Sequence, residues 1–262
     1  MSHTQWWGTI NVPEKNSFLL NSSAFTLAVE HKSNEWCLHV KRNKVLDIDS
    51  VDNHFNQTLG KFSPVYCGEL SRHIVNSNTN TLEIKPSLAD RTVVCRPKSP
   101  ITLVPQASVI IYLSTPVWVT IGVTDSKYRL LKEVATQQLS DTWFGSSTRE
   151  GELCYASQTL GRLDSANLPY RMQRAITPLL IENKADNDLV FERIALPVPS
   201  LSLYMTKSGQ LCTQNVTLVR ENDGDFAKLK LGQPKPELTL INGPRMVISH
   251  GQLIRAFSAI FS

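Results

Sequence analysis

The sequence lacks the features that place proteins in the most recognisable classes. Its start, Met1-Ser2-His3-Thr4-Gln5-Trp6-Trp7, has no basic stretch followed by an apolar one. No secretory signal is read there, and the chain is expected to begin at its mature N-terminus in the cytoplasm. No apolar run reaches the roughly 20 residues that a spanning helix needs. The most apolar stretch, Val109 to Val123, is broken by Ser114-Thr115-Pro116, Thr120 and Gly122, so it reads as two strands and a turn, and direct membrane insertion is not expected. The cysteines, Cys37, Cys67, Cys95, Cys154 and Cys212, stand singly with no Cys-x-x-Cys, against both a disulfide framework and a zinc ribbon. Neither sign of charge dominates. A balance of 27 Lys and Arg against 23 Asp and Glu is too even to make a polyanion-binding field, so nucleic acid is not an expected partner.

Catalytic signatures are also missing: there is no Gly-x-Ser-x-Gly elbow, no phosphate-binding glycine loop ending in Lys, no Gly-x-Gly-x-x-Gly and no His-Glu-x-x-His. The histidines have no metal-ligand spacing, and His39, alternating with Leu38 and Val40, is expected to face solvent. Asp47, Asp49 and Asp52 alternate like the start of a calcium loop. Asp52, however, stands where that loop needs Gly, and Thr58 where it needs Glu, so the turn and the bidentate ligand are lost. No metal and no cofactor is expected.

What the sequence does have is alternation of period two. Phe25, Leu27 and Val29 share one face of a run, Trp36, Leu38 and Val40 of the next, with Lys32-Ser33-Asn34 between them as a hairpin turn. Further strands are expected at Val45 to Ile48, Thr81 to Lys85, Thr92 to Cys95, Ile101 to Val104, Ser108 to Leu113 and Val117 to Val123, then from Glu152 onward. Glu221-Asn222-Asp223-Gly224-Asp225 has the composition of a hairpin loop. Pro197 and Pro199 cannot donate ladder hydrogen bonds, which puts them at a sheet edge or crossing. Residues 133 to 151 show no convincing strand, and the division between two halves is placed near residue 140. The expected fold is all-β: two β-sandwich-like halves, 1–140 and 141–262, with a short C-terminal helix. That helix is read from the capping spacing of Ser249 and Gln252 and from Leu253, Ile254, Phe257, Ile260 and Phe261 at helical intervals. Its apolar stripe should dock on the protein's own core, on a partner or on a second copy of the chain.

One segment stands apart. Leu139 to Tyr155 gathers aromatics, hydroxyls, an arginine and carboxylates around Gly145 and Gly151, a mixture suited to holding a polar ligand in a loop between the halves. The ligand-binding candidates are Asp141, Trp143, Arg149, Glu150, Glu152 and Tyr155. Were the segment catalytic, Glu150 or Glu152 would be the general base, Arg149 the stabiliser of negative charge, and Ser146 or Ser147 the nucleophile, with no histidine nearby in sequence to activate it. The structural alternative has Trp143 and Phe144 filling the seam of the two halves, Asp141 capping a turn and Arg149 pairing with a carboxylate. No catalytic residue is assigned.

Several runs carry a resemblance: Leu139-Ser140-Asp141-Thr142-Trp143-Phe144-Gly145, Ser147-Thr148-Arg149-Glu150-Gly151-Glu152-Leu153-Cys154-Tyr155-Ala156-Ser157, Ser114-Thr115-Pro116-Val117-Trp118-Val119 and Leu196-Pro197-Val198-Pro199-Ser200-Leu201-Ser202-Leu203-Tyr204. They resemble a prokaryotic family of uncharacterised function whose members are often encoded beside small mechanosensitive channels of the inner membrane. The resemblance implies a channel's cytosolic portion as a partner and supplies no catalytic residues. The leading expectation is therefore a non-enzymatic binding or regulatory module, accessory to a membrane channel. The other is an enzyme or small-ligand receptor, a hydrolase or carbohydrate-handling protein, using Asp141 to Tyr155.

Overall fold

The computed structural model describes residues 5–42, 55–62, 68–75, 79–97, 99–147, 149–158, 161–163, 168–249 and 251–258. The chain divides into two compact units that exchange segments: 1–87 with 117–138, and 88–116 with 139–262. The division read near residue 140 lies beside the last crossing, while residues 88–116, read as part of the first half, cluster with the second unit.

Following the chain, the first unit opens with β1 (Gly8–Asn11), β2 (Ser17–Asn21), β3 (Phe25–Lys32), β4 (Glu35–Arg42), β5 (Asn56–Gly60), β6 (Glu69–Ile74) and β7 (Thr81–Ser87). Next come β8 (Val93–Arg96), β9 (Ile101–Leu103) and β10 (Ser108–Pro116) of the second unit. β11 (Trp118–Thr124) and β12 (Tyr128–Ala135) return to the first. All later strands belong to the second unit: β13 (Ser140–Gly145), β14 (Gly151–Gln158), β15 (Arg174–Asn183), β16 (Leu189–Phe191), β17 (Arg193–Leu196), β18 (Leu203–Met205), β19 (Leu211–Thr213), β20 (Val216–Arg220), β21 (Phe226–Leu231), β22 (Thr239–Asn242), β23 (Leu253–Arg255) and β24 (Phe257–Ser258).

The first unit holds a five-stranded sheet, β5-β2-β3-β4-β6, and a four-stranded sheet, β1-β7-β11-β12. The β3–β4 hairpin forms as its alternation predicts, with Lys32 opposite Glu35 across a two-residue turn. Register then lines up Phe18, Val29 and Leu38 across three strands, and Leu20, Leu27 and Val40 beside them, all buried. Each such side chain adds roughly 1.5–3 kcal/mol of hydrophobic stabilisation. His39 does lie on the face opposite Leu38 and Val40, but it is 5% exposed, so the expected solvent-facing position is corrected. The ring is desolvated there, and burial lowers its pKa. The strand expected at Val45 to Ile48 and the Asp47 to Asp52 stretch lie outside the described residues.

In the second unit β15 is the pivot. It pairs antiparallel with β10 along nine positions, Ser108↔Glu182 to Pro116↔Arg174, and in parallel with β19 and β20. This pairing is what draws residues 88–116 into the second unit. β15 belongs to an eight-stranded sheet, beside a five-stranded sheet β13-β14-β8-β17-β24 and the pair β16-β9. Pro197 opens a 3-10 turn, Val198–Ser200, that carries the chain from β17 in the five-stranded sheet to β18 in the eight-stranded one. That is the crossing for which a residue without an N–H is suited. The hairpin loop at 221–225 also forms, with Gly224 at φ +108°, a conformation L side chains rarely adopt.

The expected C-terminal helix is not present in the described residues. Leu253–Arg255 is β23, paired with Phe226 to Lys228 of β21, and Phe257–Ser258 is β24, paired with β17. Gln252 N–H donates to the Ser249 carbonyl at 3.2 Å, closing a turn instead of a helix cap. Two short strands that add to existing sheets outcompete an isolated helix of this length, which is marginal alone. Ile260 and Phe261 lie outside the described residues. Among the described residues no helix is long and apolar enough to cross a membrane.

Candidate functional site

Leu139 to Tyr155 is not a loop: Ser140–Gly145 and Gly151–Gln158 form an antiparallel hairpin at the edge of the five-stranded sheet, wholly within the second unit. β13 leaves little trace in the sequence because its apolar residues are few, though Thr142 and Phe144 alternate with Asp141 and Trp143 as in a strand. Strand alternation then sorts the candidates. Asp141 pairs across with Tyr155, and Trp143 with Leu153, on one face; Phe144 pairs with Glu152 on the other. Arg149 and Glu150 sit in the turn between the strands.

On the first face, Arg91 ties the residues together. Its guanidinium lies 3.3 Å from the Asp141 carboxylate and 5.0 Å from the centre of the Tyr155 ring, while the Tyr155 hydroxyl donates to Asp90 at 3.1 Å. Burial, then the Asp90 carboxylate, raises the Tyr155 pKa. Asp141 therefore pairs with an arginine instead of capping a turn. Trp143 folds its indole over Gly151 and donates Nε1–H to the Ser147 carbonyl at 2.8 Å. A β-carbon on Gly151 would fall 2.7 Å from that ring, so only glycine leaves room for it.

The turn consumes its own hydroxyls. Ser147 Oγ accepts the backbone N–H groups of Arg149 at 3.3 Å and Glu150 at 3.2 Å, and Ser146 Oγ donates to the Glu150 carboxylate at 3.3 Å. Both candidate nucleophiles are thus engaged in holding the turn. The Arg149 guanidinium has no ion-pair partner among the described residues and does not reach the carboxylates it was expected to serve with.

The second face is concave. Phe144 and Glu152 line a cavity of about 370 Å³ closed on the other sides by Ala195, Pro197 and Pro199, by Leu229 of β21 and by Ile254 and Arg255 of β23. Its floor is apolar, with Phe144 packed in a buried cluster with Val94, Cys154 and Ala195. Its rim carries both charges. Arg255 is held by Asp225 at 3.1 Å and lies over the Phe226 ring at 4.7 Å; Glu152 is exposed. Of the six candidates only Glu152 lines this cavity. Arg255, Pro197 and Pro199 were missed as site residues, since nothing local in sequence marks β23 or the proline turn as neighbours of the hairpin. Among the described residues no group of three or more His, Cys, Asp or Glu could hold a metal ion.

The match to a protein family covers residues 6–261, and by it the chain belongs to DUF432, a family of proteins of unknown function. That agrees with the uncharacterised family the motif runs resemble. No curated protein and no solved structure matches the chain.

Proposed function

We propose that this member of DUF432 is a cytoplasmic, non-enzymatic binding module, and that the cavity of its second unit receives an extended segment of a partner protein. The observation that carries this is the cavity itself: an apolar floor of about 370 Å³ at a sheet edge, rimmed by an exposed Glu152 and a fixed Arg255. A pocket of that size accommodates one or two apolar side chains, and the rim charges orient the segment that bears them. Chemistry is disfavoured because Ser146 and Ser147, the hydroxyls nearest the carboxylates in sequence, already have structural partners. The cytosolic portion of a membrane channel is the partner the sequence resemblance raises.

Crosslinking from a photoreactive residue at Met246, on the exposed rim, tests the proposal. A discrete protein adduct is expected, weakened by Glu152→Lys, which reverses the rim charge without touching the core. Identification of the adduct decides whether the partner is a channel. An adduct yield unchanged by Glu152→Lys and by Ala195→Leu, which fills the floor, would overturn the reading.

A further inference from the structure

The same five-stranded sheet carries a second, separate feature. Ile194 of β17 pairs with Cys95 of β8, and Ala195 with Val94. Continuing that register one position beyond the last paired residues brings Arg193 opposite Arg96, on the face shared with Val94 and Ala195, and the charge of Arg96 is felt at Arg193. Ser258 of β24 is paired with Arg193 on its other side. Like charges at directly opposed positions of an antiparallel pair repel, because their β-carbons stand only roughly 4.5–5.5 Å apart. Sequences normally separate them or place a carboxylate between.

Here none intervenes. Among the described residues neither arginine has an ion pair. Arg193 stacks its guanidinium over the Phe144 ring at 5.7 Å and donates to Ser258 Oγ at 2.8 Å. Its Nε, buried from solvent, has no acceptor. Burial, then the charge of Arg96, lowers the Arg193 pKa, while the charges of Glu192 and Asp225 oppose this. Asp225 is already engaged by Arg255. Arg96 is exposed, which leaves the pair open to solvent from its side. Two neighbouring arginines, one exposed and one with an unused Nε–H, match the charge and the several acceptor oxygens of a phosphate group, which arginine binds in a bidentate manner.

We propose that Arg96 and Arg193 form an anion site that takes the phosphate group of a phosphorylated ligand. The site uses residues other than the Glu152 and Arg255 rim, so it stands or falls apart from the partner-binding cavity. Phe144 lies under Arg193 and is itself buried, so it holds the guanidinium in place and leaves the phosphate group as the part of the ligand that is read.

Thermal unfolding of the full chain at pH 7 tests this, in potassium phosphate against potassium chloride of equal ionic strength, with phenyl phosphate as a second probe. Phosphate should raise the melting temperature above chloride, and the Arg96→Gln variant should bind it at least about tenfold more weakly, as expected for loss of one charge-assisted bidentate partner. The ligand-free Arg96→Gln protein should melt no lower than the parent, since a repulsion has been removed. Arg193→Lys retains the charge should Arg193→Gln fail to fold, and it should weaken phosphate binding as well. Lys207→Gln, at an exposed turn of the same unit, should leave the response intact. Equal shifts from phosphate and phenyl phosphate mean that the group alone is read, and a larger one from phenyl phosphate that the ester makes contacts beyond the two arginines; both support the site. An equal shift in chloride, or a phosphate response preserved in Arg96→Gln, overturns it.

Discussion

Replacing Arg220 with methionine should cost the second unit about 2–3 kcal/mol, and the reason lies in which of its partners are buried. The residue is 2% exposed and its side chain donates four hydrogen bonds: to the Gly224 carbonyl at 3.1 Å, the Asn183 side-chain oxygen at 3.0 Å, the Asn187 carbonyl at 3.2 Å and the Asp223 carboxylate at 2.8 Å. Asp223 is 82% exposed and returns to water when the arginine is removed, so its loss adds little. Asn183 is fully buried, and its oxygen would be left without a donor. Losing that acceptor's partner, together with those of the two carbonyls, sets the magnitude. Asn183→Leu should cost more, about 3–4 kcal/mol, because it leaves a buried guanidinium short of an acceptor and also removes the donor to the Leu103 and Asn187 carbonyls. The double variant should lose less than the sum of the two, by about 1 kcal/mol, since the residues share one bond. Native-state hydrogen exchange at the amides of β15 and β20 reads these changes in the second unit alone. Should Asp223→Asn destabilise as much as Arg220→Met, the surface ion pair and not the buried network would be the stabilising element, and the reasoning would fail.

Further outcomes follow from the same geometry. Burial lowers the pKa of both His39 and His73 below the ordinary 6.5, so the unfolded chain takes up protons first as the pH falls. The first unit should therefore hold its stability above pH 6.5 and lose it progressively below. A melting temperature flat from pH 7 to 5 in a His39→Gln, His73→Gln background, against a falling one in the parent, is the expected contrast. Gly145→Ala should disrupt the β13–β14 turn, because its β-carbon would sit 2.0 Å from the Glu150 carbonyl oxygen; a hairpin whose amide exchange is unchanged would contradict this. Trp143→Ala should cost about 1–2 kcal/mol through the lost Ser147 bond and the uncovered Gly151, read as faster exchange across 145–151. Burial pushes the Cys95 and Cys154 thiols up to about 12, so iodoacetamide at pH 8 should leave both unmodified until denaturant is added, as mass spectrometry of the peptides will show.

Much of the strand content was legible because alternation is a local signal. The β3–β4 hairpin, β7 to β11 and the loop at Glu221 to Asp225 could be placed from residues within ten positions of one another. β1, β5 and β12 were passed over because each carries polar residues on a face that needs no burial, so alternation is weak; β2 was passed over because Phe18-Leu19-Leu20 is a continuous apolar run with no alternation to read. The terminal segment failed for the opposite reason. Leu253, Ile254 and Phe257 fit a helical period, yet their state is fixed by β21 and β17, distant in sequence, and a short segment follows whichever edge it can extend. The candidate site was half legible. Composition singled out the segment 139–155 but as a loop, and only the pairing of Phe144 with Glu152 and of Asp141 with Tyr155 shows that its residues lie on two faces of a hairpin. The proline turn and Arg255 enter through topology, which no spacing within the hairpin encodes.

The exchange of segments between the two units also governs how the chain can be cut. Three covalent connections join them, at 87–88, 116–117 and 138–139, so a single proteolytic nick in any one leaves two tethers in place. Severing the polypeptide at residue 140 would give one fragment holding β10 without β15 and another holding β15 without β10, its longest partner. During synthesis β10 has no partner until β15 emerges some sixty residues later, a long-range pairing of the kind that slows folding and leaves a strand edge exposed meanwhile.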